Sequence, residues 1–491
     1  MGSLLKFSLF LSGLLTVYFI LLRFNDNLDE LLFSDLLHPL ALIVPVVIII
    51  TIIFGLITKK YAKISIISSV SVILFFTYMP LHDLLFDYQI GKHVILLPLV
   101  AICFSIFLYF LIKSNREFEK LLKISFVIVA LLVMSNVIEI GFYSNVSPYT
   151  IDESQIPLFS PSSSPLPNVY HILLDEHSGT NALQEFQNYD NSNFDDTLIE
   201  KGFFIPEYSF SNYHHTRLAL PSILNMDYID VDLELDQKEY VVLLEKMVIN
   251  NQVTEIFKKN GYELIYFYNE VNLKPSIDYG VELCNNSIGG TQFLSFILDQ
   301  TPLFIAKNVL DKGNFAEIAQ NRLCVFDELP KLHDAHSVPI FVHAHIMLPH
   351  DPFVFYSDGS IVEYGVHTPA NHESMYLSQL EYTDLLILTL VEKLLVQDPP
   401  PVIIIQSDHG FRAGTDTDDA IRQSYSNFAA FYFPDSNLSL EKDSFQTPVN
   451  SFRLMFNENF DTDYPLLENR MYLEIDDEFV DVTDILVSNS D

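Results

Sequence analysis

The stretch "HILLDEHSG", residues 171–179, runs an apolar segment straight into the adjacent carboxylates Asp175 and Glu176. A charge at the edge of a core costs several kcal/mol unless it is paired or coordinated. The stretch therefore predicts a buried strand that delivers a carboxylate to a site, and the rest of the chain must supply the partner.

Comparable runs recur downstream of it: "NVYHILL" (168–174), "ELIYFYN" (263–269), "PIFVHAHI" (339–346), "PVIIIQS" (401–407) and "FAAFYFP" (428–434). Most lack apolar–polar alternation, as expected of strands covered on both faces. Amphipathic segments at 241–260 and 375–397 lie between them. Alternating strand and helix predicts an α/β sandwich with a largely parallel central sheet.

The amino-terminal part reads differently. Five apolar stretches, at 4–22, 39–57, 64–80, 94–112 and 124–142, are each near the ~20 residues that cross a bilayer. They predict a five-helix transmembrane bundle ahead of the α/β domain, with an uncleaved first span. The expected organisation is a five-span domain over 1–142, a linker over 143–167 carrying "SPSSSPLP" (160–167), and the α/β domain over 168–491. Lys59, Lys60 and Lys63 in "TKKYAK", and Lys113, Arg116, Lys120 and Lys123 in "KSNREFEKLLK", mark two cytoplasmic loops. That places the amino terminus inside and everything after the fifth span outside a cytoplasmic (inner) membrane.

Of 27 Lys+Arg and 63 Asp+Glu, residues 1–142 hold 10 and 9, leaving 17 against 54 for the remainder, a formal charge of about −37. Such a body repels nucleic acid and anionic surfaces, so an anionic substrate needs a local positive feature such as a metal ion. Three cysteines are too few for a disulfide scaffold. Cys103 lies in an apolar run; Cys284 and Cys324 either pair in an oxidising compartment or stay as buried thiols.

Ligand sites in open α/β sheets form at the carboxyl ends of strands. Asp175 ends the first run, His345 and His350 follow the third in "HAHIMLPHDPF" (343–353), and Asp408 and His409 follow the fourth in "QSDHG" (406–410). Carboxylates with imidazoles suit Mn²⁺, Zn²⁺ or Mg²⁺ and disfavour a thiolate zinc site. In "SNYHHTRLALPSILNM" (211–226), Thr216 stands where a loop enters a helix. It reads either as an N-cap or as a metal-bound hydroxyl, activated as a nucleophile where a helix amino terminus favours an incoming anion.

Asp175 after a first strand, Thr216 some forty residues later, the H-x-x-x-P-H segment and the late S-D-H-G together resemble the alkaline phosphatase superfamily, specifically its sulfatase-like branch. The apolar spans ahead of them resemble the arrangement of lipoteichoic acid synthases and phosphoethanolamine transferases, and "NSFRLMFN" (450–457) resembles a closing element of related membrane proteins. The resemblance implies that Asp175, Thr216, Asp408 and His409 ligate one divalent metal, Mn²⁺ foremost, with Zn²⁺, Mg²⁺ or Ca²⁺ as alternatives. It also implies that Thr216 is the nucleophile and that His345 and His350 hold phosphoryl oxygens or protonate the leaving group. Position 216 is Thr and position 220 is Leu, where true sulfatases resemble C-x-P-x-R or S-x-P-x-R. Threonine cannot become formylglycine, which disfavours sulfate-ester hydrolysis. Glu176, Arg217 and Arg412 are candidates for substrate binding.

The function expected is transfer of a phosphorylated head group from a membrane phospholipid, through a phosphothreonine, to a glycan, lipid or polymer acceptor. A hydrolase of extracytoplasmic esters and a non-catalytic envelope scaffold are the alternatives.

Overall fold

The computed structural model describes residues 2–27, 33–86, 92–144, 149–151, 154, 156–159, 166–229, 237–267, 280–284, 291–305, 315–363, 366–434, 446–475 and 478–487. Two compact units emerge: Met1–Val146 with Ser287–Gly313, and Ser147–Asn286 with Asn314–Asp491.

The first unit is helical: α1 (Gly2–Asn25), α2 (Phe33–Thr58), α3 (Tyr61–Phe76), α4 (Tyr78–Phe86), α5 (His93–Lys113) and α6 (Glu119–Ser144). Three helices, Asp35–Thr58, His93–Lys113 and Glu119–Phe142, are long and apolar enough to cross a membrane. A fourth span results if α3 and α4, bent by 49° against each other, count as one; the apolar part of α1, Phe10–Asn25, is shorter. Among the described residues the structure thus gives three to four spans by length and composition where the sequence predicts five. Leu42, Val46, Ile49, Ile53, Phe54 and Ile57 of α2 are exposed, an apolar surface that suits lipid rather than water.

Residues from the middle of the chain join this unit. Phe293 and Ile297, spaced i, i+4 on the helix Thr291–Asp299, are buried with Leu11, Leu15, Ile20 and Phe24. Phe293 meets Phe24 edge-on at 5.7 Å between ring centroids. Nothing in the local sequence separates this segment from the domain around it.

The second unit is built on a six-stranded sheet in the order β3-β2-β4-β1-β5-β6. The strands are β1 (Val169–Asp175), β2 (Glu263–Phe267), β3 (Gly280–Leu283), β4 (Ile340–Pro349), β5 (Val402–Ser407) and β6 (Ala429–Tyr432); a separate hairpin pairs β7 (Tyr472–Ile475) with β8 (Glu478–Asp481). All pairings in the large sheet are parallel except β5 with β6. β1 lies between β4 and β5 and is buried throughout, which explains its unalternating sequence. One face packs Leu173, Phe341 and Ile404 against Phe257, Phe452 and Phe456. The other packs Ile172, Val342 and Ile405 against Leu390 and Leu394 of the helix His372–Leu394.

The amphipathic run at 241–260 divides into two helices, Gln237–Ile249 and Gln252–Lys259. The break is chemical: the Asn251 side chain accepts a hydrogen bond from Thr254 N at 2.9 Å and caps the second helix. The expected linker is partly docked. Phe159 stacks on Phe460 at 4.2 Å and its N–H donates to Asn260 Oδ1 at 2.7 Å, while residues 160–165 lie outside the described residues.

Candidate active site

The parallel sheet order places the ends of β1, β4 and β5 side by side. Leu173 of β1 is level with His345 of β4 and Gln406 of β5. Register shifts between Leu174 and Asp175, so that Asp175 faces Pro349; such an irregularity re-aims the last side chain of a strand. Asp175 and Asp408 are 1% and 0% exposed.

Four groups converge on these two carboxylates. Nε2 of His345 lies 3.2 Å from Asp175 Oδ2. Nε2 of His409 lies 3.8 Å from Asp175 Oδ1 and 3.6 Å from Asp408 Oδ2. Nε2 of His350 stands 3.9 Å from Asp175 Oδ1 and 4.0 Å from Glu176 Oε2. Oγ1 of Thr216, the first residue of the helix Thr216–Asn225, donates to Asp408 Oδ2 at 2.5 Å. The structure thereby brings together Asp175, Thr216, His345, His350, Asp408 and His409.

Asp175, His345 and Asp408 form a buried group whose ligand atoms all lie within 4.8 Å of one another, a group that could hold a metal ion. Asp175 Oδ1 is buried and has no hydrogen-bond partner among the described residues. An orphaned carboxylate oxygen is costly in protein and is relieved by a cation. Burial opposes ionisation of Asp175, yet the His345 hydrogen bond and the nearby His350 and His409 hold its carboxyl well below the usual range. The tautomers agree: Nδ1–H of His409 donates to Gly410 O at 2.8 Å, turning the Nε2 lone pair to the carboxylates in the manner of a metal-ligating imidazole. The donor set fits a divalent ion.

Glu176 is over-determined. It adopts φ +67°, a left-handed conformation that costs a non-glycine residue on the order of 1 kcal/mol and persists where surroundings impose it. Its N–H donates to Asp408 Oδ1 at 3.2 Å, its carbonyl accepts from Tyr376 Oη at 2.9 Å, and its Oε1 accepts from Arg412 N at 2.8 Å. Burial pushes its carboxyl up. Arg412 Nη2 reaches His409 Nε2 at 3.3 Å, whereas Arg217 pairs with Glu474 of β7 at 3.3 Å. The glycine of the S-D-H-G segment has a steric cause: a Cβ on Gly410 would meet the carbonyl oxygens of Gln423 and Ser426.

Sequence reading passed over His214 and His215, although both stand in the quoted Thr216 stretch. Their rings lie 3.8 Å apart. Burial, then the neighbouring His215, His409 and Arg412, holds His214 down at about 3; burial, then Arg412, His409 and Arg217, holds His215 at about 4. Held neutral near pH 7, the two imidazoles offer hydrogen-bonding groups rather than charge beside the Thr216 hydroxyl. The signal was the His-His-Thr-Arg run itself.

The structure resembles, at low similarity, the phosphoethanolamine transferase A of Neisseria meningitidis, an integral membrane protein, at 14% identity over 94% of this chain and 95% of that one, with a TM-score of 0.44. The periplasmic domain of EptC from Escherichia coli aligns at 12% identity over 67% of this chain and 96% of that one, TM-score 0.43. The lipoteichoic acid synthase LtaP of Listeria monocytogenes aligns at 10% identity over 64% and 77%, TM-score 0.37. No curated protein sequence matches the chain. The sulfatase family's sequence model matches residues 167–449, the span that carries all six strands of the large sheet, and the chain therefore belongs to the sulfatase family.

Proposed function

We propose that this protein is a membrane-anchored phosphotransferase that moves a phosphorylated head group from a membrane phospholipid to an envelope glycan, lipid or polymer through a covalent phosphothreonine. The observation that carries the reading is Thr216 Oγ1 hydrogen-bonded to Asp408 Oδ2 at 2.5 Å, beside the orphaned Asp175 Oδ1. A hydroxyl at this position, in place of a residue that matures to formylglycine, favours phosphoryl over sulfuryl chemistry.

Asp175, Asp408, His409 and Thr216, with His345 as a further ligand, would hold one divalent ion, Mn²⁺ foremost. Bound there, the ion supplies charge neutralisation and lowers the pKa of a coordinated hydroxyl. The chain's own groups do the rest. Asp408 aligns Oγ1 of Thr216 and takes up its proton as Oγ1 bonds to phosphorus in line with the departing diacylglycerol-like alkoxide. The phosphorus–alkoxide bond breaks and the alkoxide is protonated by His350. Although burial opposes it, the Asp175 and Glu176 charges raise the His350 pKa, favouring the imidazolium. An acceptor hydroxyl then attacks the phosphorus, passing its proton to the now neutral His350, and the phosphorus–Oγ1 bond breaks as Oγ1 of Thr216 takes its proton back from Asp408. Arg412 binds the non-bridging oxygens; Arg217 contributes if it leaves Glu474. Glu176 orders the Arg412 backbone.

The anchor is read as five spans over 1–142, counting α1 and the α3–α4 pair, with the amino terminus cytoplasmic, a segment 143–167, and the catalytic domain 168–491 outside the cytoplasmic membrane. Two features support that orientation: Lys59, Lys60, Lys63, Lys113, Arg116, Lys120 and Lys123 cluster at the α2–α3 and α5–α6 junctions, and Cys284 and Cys324 form a disulfide, which suits an oxidising compartment. Intact-mass measurement after exposure to labelled phospholipid tests the reading. A head-group adduct on Thr216 is expected; transfer of label to water alone would make the protein a phosphodiesterase, and turnover by Thr216→Ala would remove the nucleophile.

A further inference from the structure

His350 stands one residue past β4, on a turn rather than in the strand itself. The turn leaves β4 at Pro349 and passes through His350, Asp351 and Pro352. Two prolines remove two N–H donors, and the carbonyls here leave the sheet ladder, so they need partners from elsewhere.

Two buried side chains far apart in sequence supply them. Arg322, 5% exposed, donates through Nη1 to the carbonyls of His350 at 3.0 Å and Pro352 at 3.1 Å, and through Nη2 to that of Asp351 at 3.4 Å. Gln379, fully buried, donates through Nε2 to the carbonyls of Pro349 and His350, both at 2.9 Å. Its Oε1 accepts from the N–H groups of Val354 at 2.7 Å and Phe355 at 3.1 Å. The His350 ring is then fixed by Nδ1, which donates to Asp351 O at 2.5 Å, leaving Nε2 aimed at Asp175 and Glu176. Arg322 sits on the helix Phe315–Glu328, which Cys324 ties to Cys284 at the end of β3.

We infer that Arg322 and Gln379 are positioning residues for His350: they touch no reacting atom and act by holding the backbone of the 349–352 turn, so that the imidazole meets the leaving group. A planar guanidinium suits three consecutive carbonyls in a way that an ammonium does not. Buried polar groups of this kind hold one geometry because every alternative strands a donor or acceptor. The inference rests on the role of His350 proposed above.

The test is a double-mutant cycle on the full chain in detergent with Mn²⁺, using mixed micelles of phosphatidylglycerol and phosphatidylethanolamine as probe and diacylglycerol release as readout, because an alkoxide leaving group needs the proton that a nitrophenolate does not. Arg322→Met is expected to lower kcat by roughly 10- to 100-fold, the scale of a small misplacement of a reacting group, with KM within about twofold. Arg322→Lys should recover part of that loss. In a His350→Asn background the same Arg322→Met change should cost less than about twofold, because the group it positions is gone. Gln379→Glu, which keeps the acceptor and loses the donor, should behave like Arg322→Met and serves if the latter does not accumulate. Equal losses in both backgrounds would overturn the inference and leave the reading of His350 intact. A wild-type kcat for His350→Asn would overturn both.

Discussion

Oγ1 of Thr216 and Oδ2 of Asp408 are 2.5 Å apart across a sequence separation of 192 residues. The contact joins the start of one helix to the end of β5 and puts the only hydroxyl of the converging set against a carboxylate that is 0% exposed. Thr216→Ala should cut phosphodiester turnover by at least about 10³-fold, the scale on which nucleophile loss is felt. Thr216→Ser keeps the oxygen and should retain measurable turnover. Release of 4-nitrophenol under identical metal loading checks both; an alanine variant within tenfold of wild type would defeat the assignment.

Asp175 Oδ1 is buried without a hydrogen-bond partner among the described residues. Metal removal by a chelator should therefore lower the melting temperature, and Mn²⁺ should restore it, by about 2.7 kcal/mol at a free concentration one hundred times the dissociation constant. Asp175→Asn should weaken metal retention at least tenfold, read as metal per chain by elemental mass spectrometry. Full retention in that variant would place the ion elsewhere.

The Cys284–Cys324 bond closes a sequence separation of 40. Chain-entropy reasoning gives a loop of that size about 3–4 kcal/mol of stabilisation. The double variant Cys284→Ser with Cys324→Ser should lose on the order of 2–4 kcal/mol in denaturant unfolding of the full chain, and reductant should reproduce the loss in the wild type. An unchanged midpoint in both experiments would show the thiols to be free.

Asp195, on the helix Ser192–Glu200, has a carboxyl pushed up to about 6, first by burial, with the charges of Asp384 and Asp196 adding and His177 offsetting. Its unfolded value is about 4, so between these values the folded state binds more proton than the unfolded one. Stability from this group therefore falls as pH rises through that window and stays lower above it. Asp195→Asn removes the penalty and should stabilise the chain by on the order of 1–2 kcal/mol at pH 8, with little effect at pH 4. Melting curves at the two pH values check the sign, and an equal change at both would refute it.

Much of the second unit was legible beforehand. "NVYHILL", "PVIIIQS" and "FAAFYFP" are β1, β5 and β6 to within a residue or two at either end, because a strand buried on both faces needs an unbroken apolar run and little else does. The amphipathic run at 241–260 was harder: an Asn inside a helical pattern reads as a tolerated polar residue, and only the Asn251–Thr254 hydrogen bond shows it to be a cap. Phe293 and Ile297 went astray for a comparable reason. An i, i+4 apolar pair announces that a helix buries one face and carries no information about which body receives it.

At the site, local sequence determined which residues end strands or begin a helix: Asp175, Asp408, His409 and Thr216 each sit at an element boundary marked by composition within a few positions. Tertiary structure alone decided what those residues meet. The order β4-β1-β5 brings Asp175, His345 and Asp408 into one group, while packing of the separate β7–β8 hairpin gives Arg217 to Glu474, and Arg412 turns toward His409. Tertiary packing also set Arg322 and Gln379 on the carbonyls around His350. The division has a physical origin: element type follows from periodicities and caps spanning a few residues, whereas partners are fixed by sheet order and register, which satisfy buried polar groups across hundreds of residues and leave no trace in any short stretch of chain.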